Sequence, residues 1–183
     1  MDTFFEQIVK KKKTLAEWGI MLGTVFVAAA LVFGILQVKP LMMIPILPTL
    51  LMVGIGYGGW WLITAQNVEF EYCVTNGDID IDVIIAKRKR KRIVSVGGRK
   101  IKSLTPYDAA AVNEKAFKRV VVAAESKKED GLWCFTDHSK KNGDTLVIFH
   151  PEQRVLRAFF EGLQGPVKTE TRRLMQEKGL YFE

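Results

Sequence analysis

Six consecutive cations, Lys87, Arg88, Lys89, Arg90, Lys91 and Arg92, form the one run in this sequence whose composition demands a chemical explanation. Such a run can bind anionic lipid or an acidic partner, since each basic residue near an anionic leaflet contributes about 1 kcal/mol. It can equally be a solvated ridge, part-neutralised by Asp78, Asp80 and Asp82 on the preceding segment. If this part is extended, only alternate members share a face, so about three of the six act together. Asp78-Ile79-Asp80-Ile81-Asp82 is no calcium loop: its sixth position is Val83 instead of glycine, and its twelfth is Lys89 instead of glutamate. His138, His150, Cys73 and Cys134 lack zinc spacing, and no nucleophile–base motif or phosphate-cradling glycine loop is recognisable. The reading is therefore non-enzymatic, with no metal and no cofactor.

The elements that carry this run divide the chain sharply. Its 183 residues have a formal net charge of +7, yet Lys39 is the only charge between Trp18 and Ala65. Residues 18–38 and 41–65 are both uncharged, and the first makes a helix of roughly 31 Å, enough to cross a hydrocarbon core. Pro45 and Pro48 either kink the outer end of the second stretch or mark its start. A cleaved signal peptide fits poorly, because no polar cleavage zone follows the first apolar run. The short connection makes the pair an antiparallel hairpin of transmembrane helices.

Lys10 to Lys13 precede the first helix and the basic run follows the second, which predicts both termini and the soluble domain on the cytoplasmic side of the cell membrane. Trp18, Tyr57, Trp60 and Trp61 fall toward that same side, as an interfacial belt would. Gly19-x-x-x-Gly23 and Gly54-x-x-x-Gly58 lie at similar depths in such a hairpin. They are read first as contacts within the hairpin, and otherwise as faces for partner helices.

From Val68 the apolar period becomes two, and Asn76-Gly77 is a strong hairpin signal before a second alternating stretch at Asp78 to Ile85. Further strands are expected at Ile93–Val96, Arg99–Leu104, Lys118–Ala124, Leu132–Asp137 and Thr145–His150, with residues 105–118 as a long connection. After Pro151, the segment Glu152 to Leu163 has a helical stripe of Val155, Leu156, Phe159, Phe160 and Leu163. The predicted organisation is a basic N-terminus (1–17), a hairpin (18–65), a domain (66–163) and a C-terminal exposed helix or tail (164–183), with Gly165-Pro166 ending the preceding helix.

About seven strands and one closing helix resemble a pleckstrin-homology-like domain. The opening Phe4-Phe5-Glu6-Gln7-Ile8-Val9 with its four lysines, the segment Val68-Glu69-Phe70-Glu71-Tyr72, Val74-Thr75-Asn76-Gly77-Asp78 and the basic run carry that resemblance. The chain is similar to uncharacterised two-pass bacterial membrane proteins with such a domain. The resemblance implies an α+β fold of two packed antiparallel sheets closed by a C-terminal helix, and brings no established activity with it. The expected function is a membrane-tethered binding or scaffolding module, docking on anionic headgroups through Lys87 to Arg92. The alternative is an accessory subunit of a larger membrane complex, with Gly19, Gly23, Gly54 and Gly58 against partner helices. The hairpin argues against a nucleic-acid partner.

Overall fold

The computed structural model describes residues 3–39, 44, 46–139, 143–177 and 179. It begins with a strand where a separate basic N-terminus is expected. β1 (Phe4–Lys10) alternates, with Phe5, Gln7 and Val9 covered more than Phe4, Glu6, Ile8 and Lys10. Two helices follow, α1 (Leu15–Gln37) and α2 (Ile46–Ala65). Thr14 and Glu17 form a capping box that starts α1, each side chain bonding the other's backbone N–H. Pro48 stands in the first turn of α2, where its missing N–H costs little; Pro45 lies outside the described residues. Both helices are long and apolar enough to cross a membrane, and almost none of their surface is buried, unlike the core helix of a soluble protein.

The chain then makes β2 (Val68–Thr75), β3 (Asp78–Ile85) and β4 (Lys89–Val96), giving the sheet order β1-β2-β3-β4. β1 pairs antiparallel with β2, from Phe4 opposite Thr75 to Lys10 opposite Glu69. The helical hairpin is therefore an insertion between the two strands of a β-hairpin. Asn76 and Gly77, at φ of 52° and 84°, turn β2 into β3.

The second sheet contains β5 (Ile101–Pro106), β6 (Arg119–Ala123), β7 (Trp133–Ser139) and β8 (Gly143–Phe149) in the order β5-β7-β8-β6. Eight strands thus stand among the described residues, against about seven expected, and β6 runs parallel to β8 instead of antiparallel. Both faces of this sheet are apolar. On one side Tyr107, Val112 and Phe117, from the connection before β6, pack on Leu132, Cys134, Leu146 and Ile148. A face covered in this way explains the near-continuous apolar run in β8.

The main core lies on the other side. Tyr72, Phe135, Phe149 and Phe159 are fully buried, with ring centroids 5.3–6.2 Å apart in edge-on arrangements. They come from β2, β7, β8 and α3 (Gln153–Glu161), so the aromatic cluster ties both sheets to that helix. The Tyr72 hydroxyl donates to the Ala123 carbonyl and accepts from the His150 N–H, satisfying a polar group inside the core. Gly165-Pro166 opens a helix instead of terminating one: α4 (Gly165–Glu177) has proline in its first turn, where proline is tolerated. Of the two expected forms, α4 is the helix, exposed along most of its length but seated on the domain by one face. Its Thr171 and Met175 are buried, and the Thr171 hydroxyl donates to the Leu104 carbonyl of β5 at 2.9 Å.

The chain forms two compact units. One gathers both sheets with α3 and α4, and the other contains the two apolar helices together with the turn Ile85–Arg88.

Candidate functional site

The basic run begins in the β3–β4 turn. Ala86 and Lys87 both adopt left-handed backbone, at φ of 54° and 56°, although neither is glycine. Such residues cost about 1 kcal/mol or more each, so the turn is held in place by its surroundings. The Arg88 N–H closes it on the Ile85 carbonyl at 3.0 Å, and the Ala86 N–H donates to the Asn67 carbonyl just beyond α2 at 2.8 Å.

From there lysine and arginine part company. Arg88 lies over the rings of Trp60 and Trp61, with its carbon 5.2 and 5.7 Å from their centroids. Its Nη2 donates to the Thr64 hydroxyl at 2.8 Å, near the exposed carbonyls that end α2. Arg90 donates through Nε to Asp82 at 2.6 Å and places Nη2 2.8 Å from Glu71. Arg92 joins Asp82 and Asp80, both at 3.0 Å. The three arginines are all engaged within the chain. Lys87, Lys89 and Lys91 alternate with them and are exposed, and their side chains form no ion pair or hydrogen bond among the described residues. The side-chain chemistry accounts for the division: a planar guanidinium bridges two carboxylates or stacks on indole, while an ammonium is a strongly hydrated point charge.

The carboxylates beneath the arginines differ from one another. Asp82 and Glu71 are only 5% and 4% exposed. Burial alone would raise Asp82, but hydrogen bonds from Arg92 and Arg90 outweigh it and hold its pKa below the usual value. Glu71 goes the other way. Burial, then the neighbouring carboxyl of Glu6, lifts its pKa against the pull of Arg90. The Cys73 thiol beside them is also pushed up, first by burial and then by the charges of Glu71 and Glu6. A thiol stabilised in its protonated form is a poor nucleophile.

The helix ends nearby in sequence carry matching chemistry. Lys13 stands 5.7 Å from the Trp18 ring at the start of α1, while Arg88 covers Trp60 and Trp61 at the end of α2. Because α1 and α2 are antiparallel, both cation–aromatic groups mark the same end of the hairpin. Tyr57 adds a fourth aromatic, with its ring 5.8 Å from Trp60. Cationic and aromatic side chains together are the usual anchors at a membrane–water boundary.

The four glycines read as helix-packing positions have open space beside them. A Cβ at Gly19, Gly23, Gly54 or Gly58 would have nothing within 4 Å; one at Gly59 would meet the Thr24 methyl at 3.9 Å, an ordinary van der Waals contact. One residue is about 100° of helix rotation, enough to move Gly58 off the contact line that Gly59 occupies. Gly23 and Gly58 instead line an apolar groove of about 480 Å³ on the hairpin surface.

The remaining candidates stay apart from one another. His138 meets Asp144 at 2.7 Å on an exposed edge that Lys102 shares, and His150 lies 3.5 Å from Glu129. Cys134 is buried against Thr105. Among the described residues no group of three or more histidine, cysteine, aspartate or glutamate side chains could hold a metal ion.

A model of a bacterial PH-like domain family (DUF6106) matches residues 1–168. The chain belongs to this family. The match includes β1 and both apolar helices as well as the two sheets, so the interrupted β-hairpin falls inside the stretch that the PH-like family model matches. No curated protein and no solved structure matches the chain significantly. Sequence reading found the basic run and its acidic partners in this PH-like domain, but missed Glu6 and Glu71. The signal was present in the alternation of Phe5, Gln7 and Val9 with Glu6 and Ile8, which marks residues 4–10 as a strand.

Proposed function

We propose that this protein is a membrane-tethered, non-catalytic binding module whose Lys87, Lys89 and Lys91 dock on anionic lipid headgroups. One observation carries the reading. The turn Ile85–Arg88 forms a single compact unit with the two apolar helices, and Arg88 is fastened to the aromatic end of α2. Lys87 is thereby next in sequence to a residue fixed at the boundary where lipid phosphates lie. The charge balance supports cytoplasmic placement of both termini and of the sheets, since Lys39 is the single cation between the helices. Three free lysines contribute roughly 3 kcal/mol at an anionic leaflet, and the contribution is screened by salt.

The test is amine labelling of the full chain reconstituted in vesicles. With anionic lipid at low salt, modification of Lys87, Lys89 and Lys91 slows relative to neutral vesicles, and salt restores it. Equal labelling in both bilayers refutes the docking. Reporter fusions at Lys39 and the C-terminus check the orientation, and a cytoplasmic signal at Lys39 would exclude the hairpin.

A second reading, an accessory subunit of a membrane complex, is supported by the open sides of Gly19, Gly23, Gly54 and Gly58. Small residues facing outward permit another helix to approach closely. Crosslinking in native membranes tests this reading, which requires a stoichiometric membrane-protein partner captured at these positions.

A further inference from the structure

We propose that β1 is an interface between two copies of this chain, joined edge to edge with Ile8 at the centre. β1 ends its sheet in the order β1-β2-β3-β4, so one side of its backbone faces no other strand. Edge strands of this kind are normally protected, because their free N–H and C=O groups accept another strand. Here the edge carries Phe4 and Ile8, exposed by 60% and 54%, the only large exposed hydrophobic residues outside the two helices and their connection among the described residues. Alternation places both on one face with Glu6 and Lys10.

The charges on that face select the partner. Glu6 and Lys10 are about 13 Å apart along the strand, too far to pair with each other. Neither forms an ion pair among the described residues, although Glu69 stands opposite Lys10 in the ladder. Glu6 also lies beside Glu71, whose charged form it disfavours, so Glu6 gains no cationic partner from that neighbour. Antiparallel pairing of two β1 strands about Ile8 puts Ile8 opposite Ile8 of the second copy. It also puts each Glu6 opposite Lys10 of the other copy, twice by symmetry. A two-fold interface requires a self-complementary patch, and this strand has one: acid, apolar residue and base at two-residue intervals.

The experiment uses the full chain in membranes, with Cys73 and Cys134 replaced by serine. Ile8→Cys should form an intermolecular disulfide on mild oxidation, because directly opposed residues have Cβ atoms about 4.5–5.5 Å apart. Ser95→Cys, exposed on β4, should not. Glu6→Lys and Lys10→Glu should each reduce Ile8→Cys dimer formation about tenfold by opposing like charges, and the double reversal should restore it. Glu6 is exposed, and lysine there relieves its repulsion with Glu71, so this variant retains its fold. Absence of the disulfide, insensitivity to either reversal, or capture of a different protein at position 8 overturns the proposal.

Discussion

Gly77 and Gly162 meet backbone to backbone: a Cβ added to either would lie well under 3 Å from the other residue's main chain. Gly98 joins them, since its own Cβ would meet the carbonyl oxygens of both at less than 3 Å. The β2–β3 turn, the turn leaving β4 and the end of α3 converge at a point with no space for a side chain. Asp78 fastens the second of these turns by accepting the Gly98 N–H at 3.0 Å, and Gln164 donates to the Arg99 carbonyl.

Gly162→Ala should therefore destabilise the domain by about 3 kcal/mol, the upper part of the usual overpacking range, because rigid backbone has to yield. Gly162 has ordinary right-handed backbone at φ −80°, so the loss reports contact instead of conformational strain. Gly165→Ala, where nothing lies within 4 Å, should be close to neutral. Denaturant titration of the two variants separates them, and equal midpoints would refute the convergence.

Asp82 and Glu71 should give stability opposite dependences on pH. Asp82 has its folded pKa lowered, so its contribution is present above the unfolded value, about 3.9, and lost as pH falls through the folded value. Asp82→Asn should cost about 1–2 kcal/mol at pH 7, discounted because both arginines are about half exposed, and progressively less below pH 4. Glu71 has its folded pKa raised, so its contribution is present below the unfolded value and lost as pH rises through the folded one. Glu71→Gln should then be neutral or stabilising at pH 7 and lose that advantage in acid. Unfolding curves across this range distinguish the two, and parallel slopes would contradict the assignment.

How much of this was legible in advance depended on the range of the interaction. Asn76-Gly77, the alternation of β2 and β3 and the stripe of α3 are local signals, and each produced the expected element. The acidic face of β3 and the arginines of β4 are neighbours along one β-hairpin, so their pairing was legible too. β1 was not, because its pairing partner is separated from it by the whole helical hairpin, and four following lysines suggested a membrane flank. The parallel placement of β6 beside β8 and the meeting of Gly77 with Gly162 are contacts between distant segments, for which no local pattern exists.

Lys87 combines exposed charge with a strained backbone, so stability and docking should separate there. Replacing Ala86-Lys87 by Asn-Gly supplies residues suited to two left-handed positions, the same pair that turns β2 into β3. The replacement should raise stability by about 1 kcal/mol. It should also weaken binding to anionic vesicles about fivefold, the effect of losing one cation near the leaflet. Ala86→Asn alone should keep the binding and part of the stability. A variant that is less stable than the parent would show that the turn carries no strain.

Residues 4–10 belong to the same sheet as β2, so a fragment beginning at Val68 lacks an edge of its own fold. Val9 is buried, and losing its side chain alone removes roughly 2 kcal/mol of apolar burial. The Gln7 side chain also joins β1 to the segment before α3, donating to the His150 carbonyl at 3.0 Å and accepting the Glu152 N–H at 2.7 Å. Lys10 and Glu69 are opposite each other at the end of the ladder, so an Asn-Gly turn between them can replace everything from Lys11 to Val68. The shortened chain should be water-soluble, strand-rich by circular dichroism and cooperative on heating. The fragment from Val68 should melt well below it, or aggregate through the uncovered edge of β2. If both melt at the same temperature, β1 is not part of the folded domain and the helices are not an insertion within it.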